Sequence, residues 1–308
     1  MSFTRIVLLS LALFGICSCG SAASTPAALA QQLQKALDAG DFDAARKLAD
    51  VDDAPAEARF AYFDAVNGCA TDMQCKVSIA ALDDAFRQGL IEDAKAIDAT
   101  PIAAEGVVVI REKSRDGTGS GELKMPYAKS GGDYRIAVLR PGLAAIAKAR
   151  AQSNDDLARQ MFAGGIYDTA SGTRRTDWAT AAKPLPADGG EAGHAFVAQT
   201  NAMAAAVDAK DPDAAMRAGG RMAAIVFADK SYDGKPIAKE ARQKKLWVQS
   251  QRMLRDIRIT GGYELGDDAV LTFDARNGSG WVERGAVLVS REGGVWDVAG
   301  KQTVAYPK

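Results

Sequence analysis

The stretch Ala36-Leu37-Asp38-Ala39-Gly40-Asp41-Phe42-Asp43-Ala44-Ala45 returns 170 residues later as Ala206-Val207-Asp208-Ala209-Lys210-Asp211-Pro212-Asp213-Ala214-Ala215, with seven of ten positions identical. Two further segments, residues 130–137 and 292–299, share a glycine pair followed by an aromatic and then a β-branched residue. Each copy thus runs from a helical opening to a closing strand over roughly 110 residues, the size of a small domain rather than a solenoid repeat. The sequence therefore predicts one α+β unit present twice.

The composition is that of a globular protein with room for two cores. The chain has 308 residues, of which 47% are hydrophobic and 25% charged, both ordinary values. A net charge of −1 gives no support to a nucleic-acid or acidic-lipid surface. The basic run Arg242-Gln243-Lys244-Lys245 is interpreted as a solvated helix face.

Residues 1–23 have the organisation of a secretory signal. Arg5 precedes an apolar run from Ile6 to Ile16, which is too short to cross a hydrocarbon core of ~30 Å. Ile16-Cys17-Ser18-Cys19 resembles a bacterial lipobox, which makes Cys19 the predicted lipidation site. The alternative is cleavage at Ser21-Ala22-Ala23, which would release a soluble protein. We therefore expect a periplasmic protein or an outer-membrane lipoprotein, with membrane contact only through a lipid anchor.

The cysteines behind the signal form an even pair, Cys69 and Cys75, in an oxidising compartment. On one continuous helix they would face different sides, ~9 Å apart along the axis. Asn67-Gly68 is a helix-stop pattern and Thr71-Asp72-Met73-Gln74 a capping box, so we predict a disulfide stapling a helix-turn-helix corner. A metal site and a redox-active pair are the weaker alternatives, because no further ligand is near and the spacing is not C-x-x-C.

Turn and cap residues divide the repeated stretch into two helices. Thr25 followed by proline opens the first helix, and Gly40 ends it. Asp41 and Asp211 are predicted N-caps, and Pro212 suits the first helical position. The clustered aspartates do not form a calcium loop, because the required glycine and glutamate positions are not both filled.

The remaining periodicity gives each unit a sheet. We predict helices over 55–66, 72–88 and 91–97, then strands through 107–110 and 122–127, with Pro126 at an edge or bulge. In the second copy helices cover 191–228 and 236–255, and strands follow around Asn277-Gly278 and Gly293-Gly294 turns. The predicted organisation is a first unit (residues 24–142), a connecting segment of helix plus linker (143–190) and a second unit (191–308).

The opening Ala-Leu-Asp-Ala-Gly-Asp-Phe-Asp-Ala-Ala and the closing Gly-Gly-x-Trp-x-Val resemble the nuclear transport factor 2-like superfamily. The resemblance implies an α+β fold of two tandem cone-shaped rolls, each with N-terminal helices packed on a curved antiparallel sheet around a pocket. The superfamily also includes exported proteins and lipoproteins, many of them without an assigned activity. A helical-repeat protein is the alternative, but the repeat distance and the strands speak against it.

Enzymes of this superfamily use a carboxylate or histidine base and a hydrogen-bond donor inside the cone. Here the single histidine, His194, stands at a predicted helix start, and Asp274 is predicted to point outward. Tyr134 and Trp296 are equivalent by repeat, and we interpret them as core aromatics rather than ligand-stacking residues. We therefore assign no catalytic, cofactor-binding or metal-binding residue.

Three functions are compatible with these observations. The first is a non-catalytic envelope protein that binds a protein partner or an apolar small ligand, without cofactor or nucleic acid. The second is a proton-transfer enzyme of the isomerase or cyclase type, which needs a polar pocket with a carboxylate of perturbed pKa in one cone. The third is an inhibitor or immunity protein against a toxin acting in the envelope.

Overall fold

The computed structural model describes residues 23–167, 173–231 and 234–308, so residues 1–22 of the predicted signal segment, with Cys17 and Cys19, lie outside the described residues. The helices are α1 (Pro26–Ala39), α2 (Phe42–Lys47), α3 (Ala56–Thr71), α4 (Asp84–Ala96), α5 (Leu143–Ala151), α6 (Asn154–Gly164), α7 (Trp178–Ala181), α8 (Gly190–Asp208), α9 (Pro212–Ala218), α10 (Gly220–Val226) and α11 (Lys239–Ser250). The strands are β1 (Met73–Ala80), β2 (Gly106–Ser114), β3 (Ser120–Ser130), β4 (Asp133–Ile136), β5 (Ile166–Tyr167), β6 (Arg174–Arg175), β7 (Lys183–Pro184), β8 (Arg255–Leu265), β9 (Asp268–Arg276), β10 (Val282–Glu292) and β11 (Val295–Tyr306).

The fold is α+β, as predicted, with helices packed on two main antiparallel sheets, one of them curled into a half-barrel. The first sheet has the order β1-β2-β3-β4 and the second β11-β10-β9-β8-β7. In each unit the helices precede a four-stranded meander, and the first unit inserts α4 between its first two strands. The second sheet gains β7 from the connecting segment.

The repeated stretch adopts the same backbone in both copies. Gly40 and Lys210 occupy equivalent positions, and both lie in the left-handed region, with φ of 58° and 53°. The backbone N–H of the following residue, Asp41 or Asp211, donates at 2.9 Å to the carbonyl five positions earlier in each copy. Both aspartate side chains then accept from backbone N–H groups of the next helix, which confirms the predicted N-caps.

Two sequence predictions around the cysteines are wrong. Helix α3 continues through Asn67-Gly68 to Thr71, and residues 73–80, predicted as helix, form strand β1. The Asn67 side chain is buried, and a side chain at Gly68 would meet open space. Neither residue therefore requires the helix to end there. Strand β1 pairs with β2 along its whole length, and tertiary pairing thus overrides a capping-box pattern.

Pro126 does not lie at an edge, because β3 is an inner strand of its sheet. Its carbonyl accepts from the N–H of Ala137 at 2.9 Å, one residue past the end of β4. In an antiparallel ladder the nitrogen and carbonyl of one residue face the same neighbour. The proline nitrogen therefore faces the place where the neighbouring strand stops, and the loss of its N–H interrupts no strand pair.

The first core contains a helix of the second unit. Trp247 on α11 stacks on Phe42 with ring centroids 4.4 Å apart and meets Phe63 edge-on at 4.8 Å. Val248, its neighbour, is 1% exposed and belongs to the same apolar cluster. The two units are thus joined through apolar packing and share a core.

The connecting segment covers the second sheet. Helix α6 packs on β9 and β10, and Trp178 of α7 stacks on Phe162 with centroids 5.5 Å apart. This cluster lies on the sheet face opposite the one that Phe196 and Phe273 cover. The helix predicted at the start of the connecting segment is divided between α5 and α6. None of the helices in the described ranges is both long enough and apolar enough to span a membrane.

Candidate functional site

Cys69 and Cys75 form a disulfide, as predicted, with Cα atoms 5.4 Å apart. The bond ties the last turn of α3 to the first residues of β1, and the stapled corner is therefore helix–strand rather than helix–helix. The carboxylate of Glu112 lies within 4.8 Å of the two sulfur atoms. Because oxidised cysteines offer no thiolate, this set does not suit a metal ion.

Neither residue considered as a catalytic base lies in the apolar layer between helices and sheet. His194 is exposed on the first turn of α8, where its Nε2 atom is 3.2 Å from Asp188. Asp274 faces away from the apolar layer of Phe273, as predicted, and meets Arg258 at 2.6 Å and Arg284 at 3.6 Å. Its charge is therefore balanced by two guanidinium groups.

The space between helices and sheet is filled with apolar side chains in each described unit. Tyr134 packs against the first core and meets Tyr127 edge-on at 5.8 Å. Trp296 packs in the same way against the second core, beside Phe273 and Val289. Both aromatics thus contribute to cores.

The basic run of α11 is packed against other elements, which overturns its interpretation as a solvated face. Arg242 is 4% exposed and donates from Nε and Nη2 to the carbonyl of Phe227, at 2.9 and 2.7 Å. The same guanidinium meets Asp213 at 2.7 Å. Gln243 donates to the carbonyl of Lys210 at 3.0 Å. The run therefore holds α9, α10 and α11 together.

A candidate binding site is an open groove of about 910 Å³ between the two units, called here the inter-unit groove. One wall is a face of α3 with Phe60, Asp64 and Asn67, which stand on the same side because they are four and three residues apart. Helix α11 contributes a second wall with Lys245 and Gln249. The β2–β3 hairpin and α10 supply further lining residues.

The disulfide and the shared core position these walls. Cys69 lies one residue beyond the α3 positions that line the groove, so the bond fixes that helix end against β1. Trp247 inserts between Phe42 and Phe63 from α11, which sets the separation of the two helices. The groove is therefore a consequence of how the units pack, and no short sequence motif encodes it.

Two polar groups in the groove have unusual surroundings. The pKa of the Asp64 carboxyl is raised from its ordinary value chiefly by partial desolvation, with Asp72 adding to the rise and Arg252 and Lys245 opposing it. Asn67 is 4% exposed, and its Oδ1 atom has no hydrogen-bond partner in the described part of the chain. An unpaired buried acceptor is costly, and such groups concentrate at functional sites.

Reasoning from sequence missed this site. The sequence pattern predicts a helix stop at Asn67, and Asp64 belongs to no motif. Phe60 and Lys245, which both line the groove, are far apart in the chain. The one available signal was a helical face on which Phe60, Asp64 and Asn67 recur at helical spacing, and polar residues on such a face ordinarily indicate solvent.

The comparisons with known proteins add no relative. Neither the protein-family models, nor the curated proteins, nor the solved structures include one that matches the chain.

Proposed function

We propose that this chain is a non-catalytic binding protein that holds a segment of a partner protein in the inter-unit groove. The observation that carries the proposal is the groove itself, about 910 Å³ in volume and built by both units. Ligand sites are commonly found where structural units meet, and their volumes fall in this range. Carboxylates, two amides and apolar side chains line its walls together, as in sites that recognise peptides rather than purely apolar molecules.

The alternatives have less support. An apolar small ligand prefers an enclosed apolar cavity, whereas this groove is open and carries four carboxylates, Asp64, Asp72, Glu112 and Glu122. A proton-transfer enzyme of the isomerase type needs a polar pocket against one sheet, and apolar side chains fill those spaces in the described units. An inhibitor of an envelope toxin is a special case of the proposal, in which the toxin supplies the bound segment.

The experiment selects twelve-residue peptides by phage display on the wild-type protein and compares their affinities for two tryptophan variants. Gly68→Trp places an indole inside the groove, at a helical position whose side chain meets open space. Gly89→Trp is the matched control on α4, again helical and open but away from the groove. We expect selected peptides to bind the control like wild type and Gly68→Trp at least tenfold more weakly. If every selected peptide binds both variants equally, the groove is not the binding site.

The cone architecture and the export remain part of the proposal. The shared element order and the repeated left-handed turn support two units of one type, as the superfamily resemblance implies. Export rests on the sequence of residues 1–23, with Cys19 as the proposed lipidated residue. The mass of the mature amino terminus distinguishes lipidation at Cys19 from cleavage after Ala23. An intact Met1 in the mature protein would refute export.

A further inference from the structure

The polar groups of the inter-unit groove are not balanced between donors and acceptors. Glu122 is already neutralised, since Arg111 approaches its carboxylate at 3.0 Å and Lys124 at 3.6 Å. Lys245 forms an ion pair with the carboxylate of Asp72 at 3.8 Å. Asp72 and Glu122, two of the four acidic residues of the groove, thus have cationic partners. Arg252 and Lys245 also attract the Asp64 carboxylate, although neither forms an ion pair with it.

Three acceptor groups remain without a donor within the described ranges. Asp64 and Glu112 form neither a hydrogen bond nor an ion pair there, and both line the groove. Asn67 adds its buried Oδ1 atom on the same face of α3. Acceptors that lack a hydrogen-bond donor in the same groove are satisfied by a group that carries positive charge and several N–H donors.

We infer that the inter-unit groove binds its partner through an arginine side chain, whose guanidinium is held by Asp64, Asn67 and Glu112. The inference rests on the function proposed above and specifies the chemistry of the segment. A guanidinium carries five N–H donors in a planar fork, which can serve two carboxylates and an amide oxygen together. A lysine ammonium offers three donors from one point and matches the set less well.

Apolar side chains beside these acceptors argue for a protein segment rather than a free small cation. Ile225 on α10 is 70% exposed although it is a large aliphatic residue, and it lines the groove. Leu123 and Met73 line it as well and are half-buried. Such a surface gains from burial by aliphatic residues on either side of the arginine.

The test uses the tightest peptide from the display experiment, a synthetic copy with citrulline in place of each arginine, and spermidine. Citrulline keeps the shape of arginine and removes its charge. We expect the selected peptides to contain arginine, and the citrulline copy to bind at least tenfold more weakly by calorimetry. Spermidine should not displace the peptide at equal concentration.

Protein variants locate the effect. Asp64→Asn should reduce the difference in affinity between the arginine and citrulline peptides to threefold or less. The variant lacks the carboxylate charge that favours arginine over citrulline. Asp93→Asn, an exposed aspartate of α4 outside the groove, is the matched control and should preserve the full difference. Glu112→Gln should give an intermediate reduction.

Each failure has a separate meaning. If the peptides bind the groove but tolerate citrulline, or contain no arginine, this inference is wrong and the proposed function stands. If spermidine competes as well as the peptide, the acceptors form a site for small cations, and the assignment to a protein segment is wrong. If Gly68→Trp leaves all binding intact, both the function and the inference are contradicted.

Discussion

The Asp64 carboxylate destabilises the folded protein at neutral pH when no ligand is bound. Partial desolvation raises the pKa of its carboxyl above the ordinary value of 3.8, and no hydrogen bond compensates. Because the pKa in the folded protein lies above the pKa in the unfolded chain, this group contributes to stability fully below pH 3.8. That contribution is lost as the pH rises through the folded pKa. At neutral pH its charge therefore favours unfolding.

Replacing this carboxylate should stabilise the protein while it damages binding. We expect Asp64→Asn to raise the free energy of unfolding at pH 7 by about 0.5 kcal/mol or less, because solvent screens an accessible group. At pH 3, where the wild-type side chain is itself neutral, the two proteins should unfold at the same urea concentration. A variant that is less stable than wild type at pH 7 would show that Asp64 has a structural role.

Arg242 is the residue whose polar contacts matter most for the helices of the second unit. Arg242→Ala removes both donors to the Phe227 carbonyl and leaves Asp213 unpaired, and we expect it to cost about 2–3 kcal/mol of unfolding free energy. Arg87→Ala, which breaks the exposed Arg87–Asp84 pair, is the control and should cost less than about 1 kcal/mol. Equal losses in urea unfolding would contradict the account.

At the scale of single elements, Gln34 protects an exposed sheet edge. β1 is the outer strand of its sheet, and the Gln34 side chain donates to the carbonyl of Cys75 at 3.1 Å and accepts from the N–H of Val77 at 2.8 Å. The amide therefore bonds as a neighbouring strand would. An edge covered in this way offers no template for pairing with another chain.

Gln34→Ala should uncover that edge locally. We expect the amide hydrogen of Val77 to exchange about tenfold faster, since it loses its hydrogen-bond acceptor. Gln31→Ala changes an exposed glutamine on the same helix and should leave the rate unaltered. Unchanged exchange at Val77 in the first variant would mean that the side-chain contact does not protect the edge.

The elements also show what local sequence can and cannot predict. The caps at Asp41 and Asp211 were predictable, because side-chain hydrogen bonds to the next few residues decide them. The sequence predicts helix at strand β1 because the capping-box pattern at Thr71–Gln74 outweighs an alternation of apolar and polar residues over 73–79, and pairing with β2 decides its conformation. The disulfide could be predicted from the even number of cysteines behind the signal, whereas the two elements that it joins could not.

At the scale of the whole molecule, α11 makes the two units one cooperative structure. Trp247→Ala removes the ring that packs on Phe42 and Phe63, and we expect a loss of about 3 kcal/mol. Both sheets should lose exchange protection together in a single unfolding transition. Leu143→Ala, at a side chain 86% exposed, is the control and should change neither. Loss of protection in the first sheet alone would show that the units are independent.

The candidate site belongs to this largest scale, which explains why it escaped prediction. Phe60 and Asp64 line it from the first unit, while Lys245 and Gln249 line it from the second. Neither the sequence of α3 nor that of α11 predicts that these residues meet. The packing of α11 on α3 brings them together. The position of the groove could therefore not be predicted from the sequence.

Photocrosslinking tests most directly whether the inter-unit groove is the binding site. A selected peptide carrying a benzophenone beside its arginine is irradiated with the wild-type protein, and the attached residues are identified by mass spectrometry. We predict attachment to the groove walls, at Met73, Leu123 and Ile225. Attachment confined to the exposed edge of β11 or to α4, with none in the groove, would contradict the account.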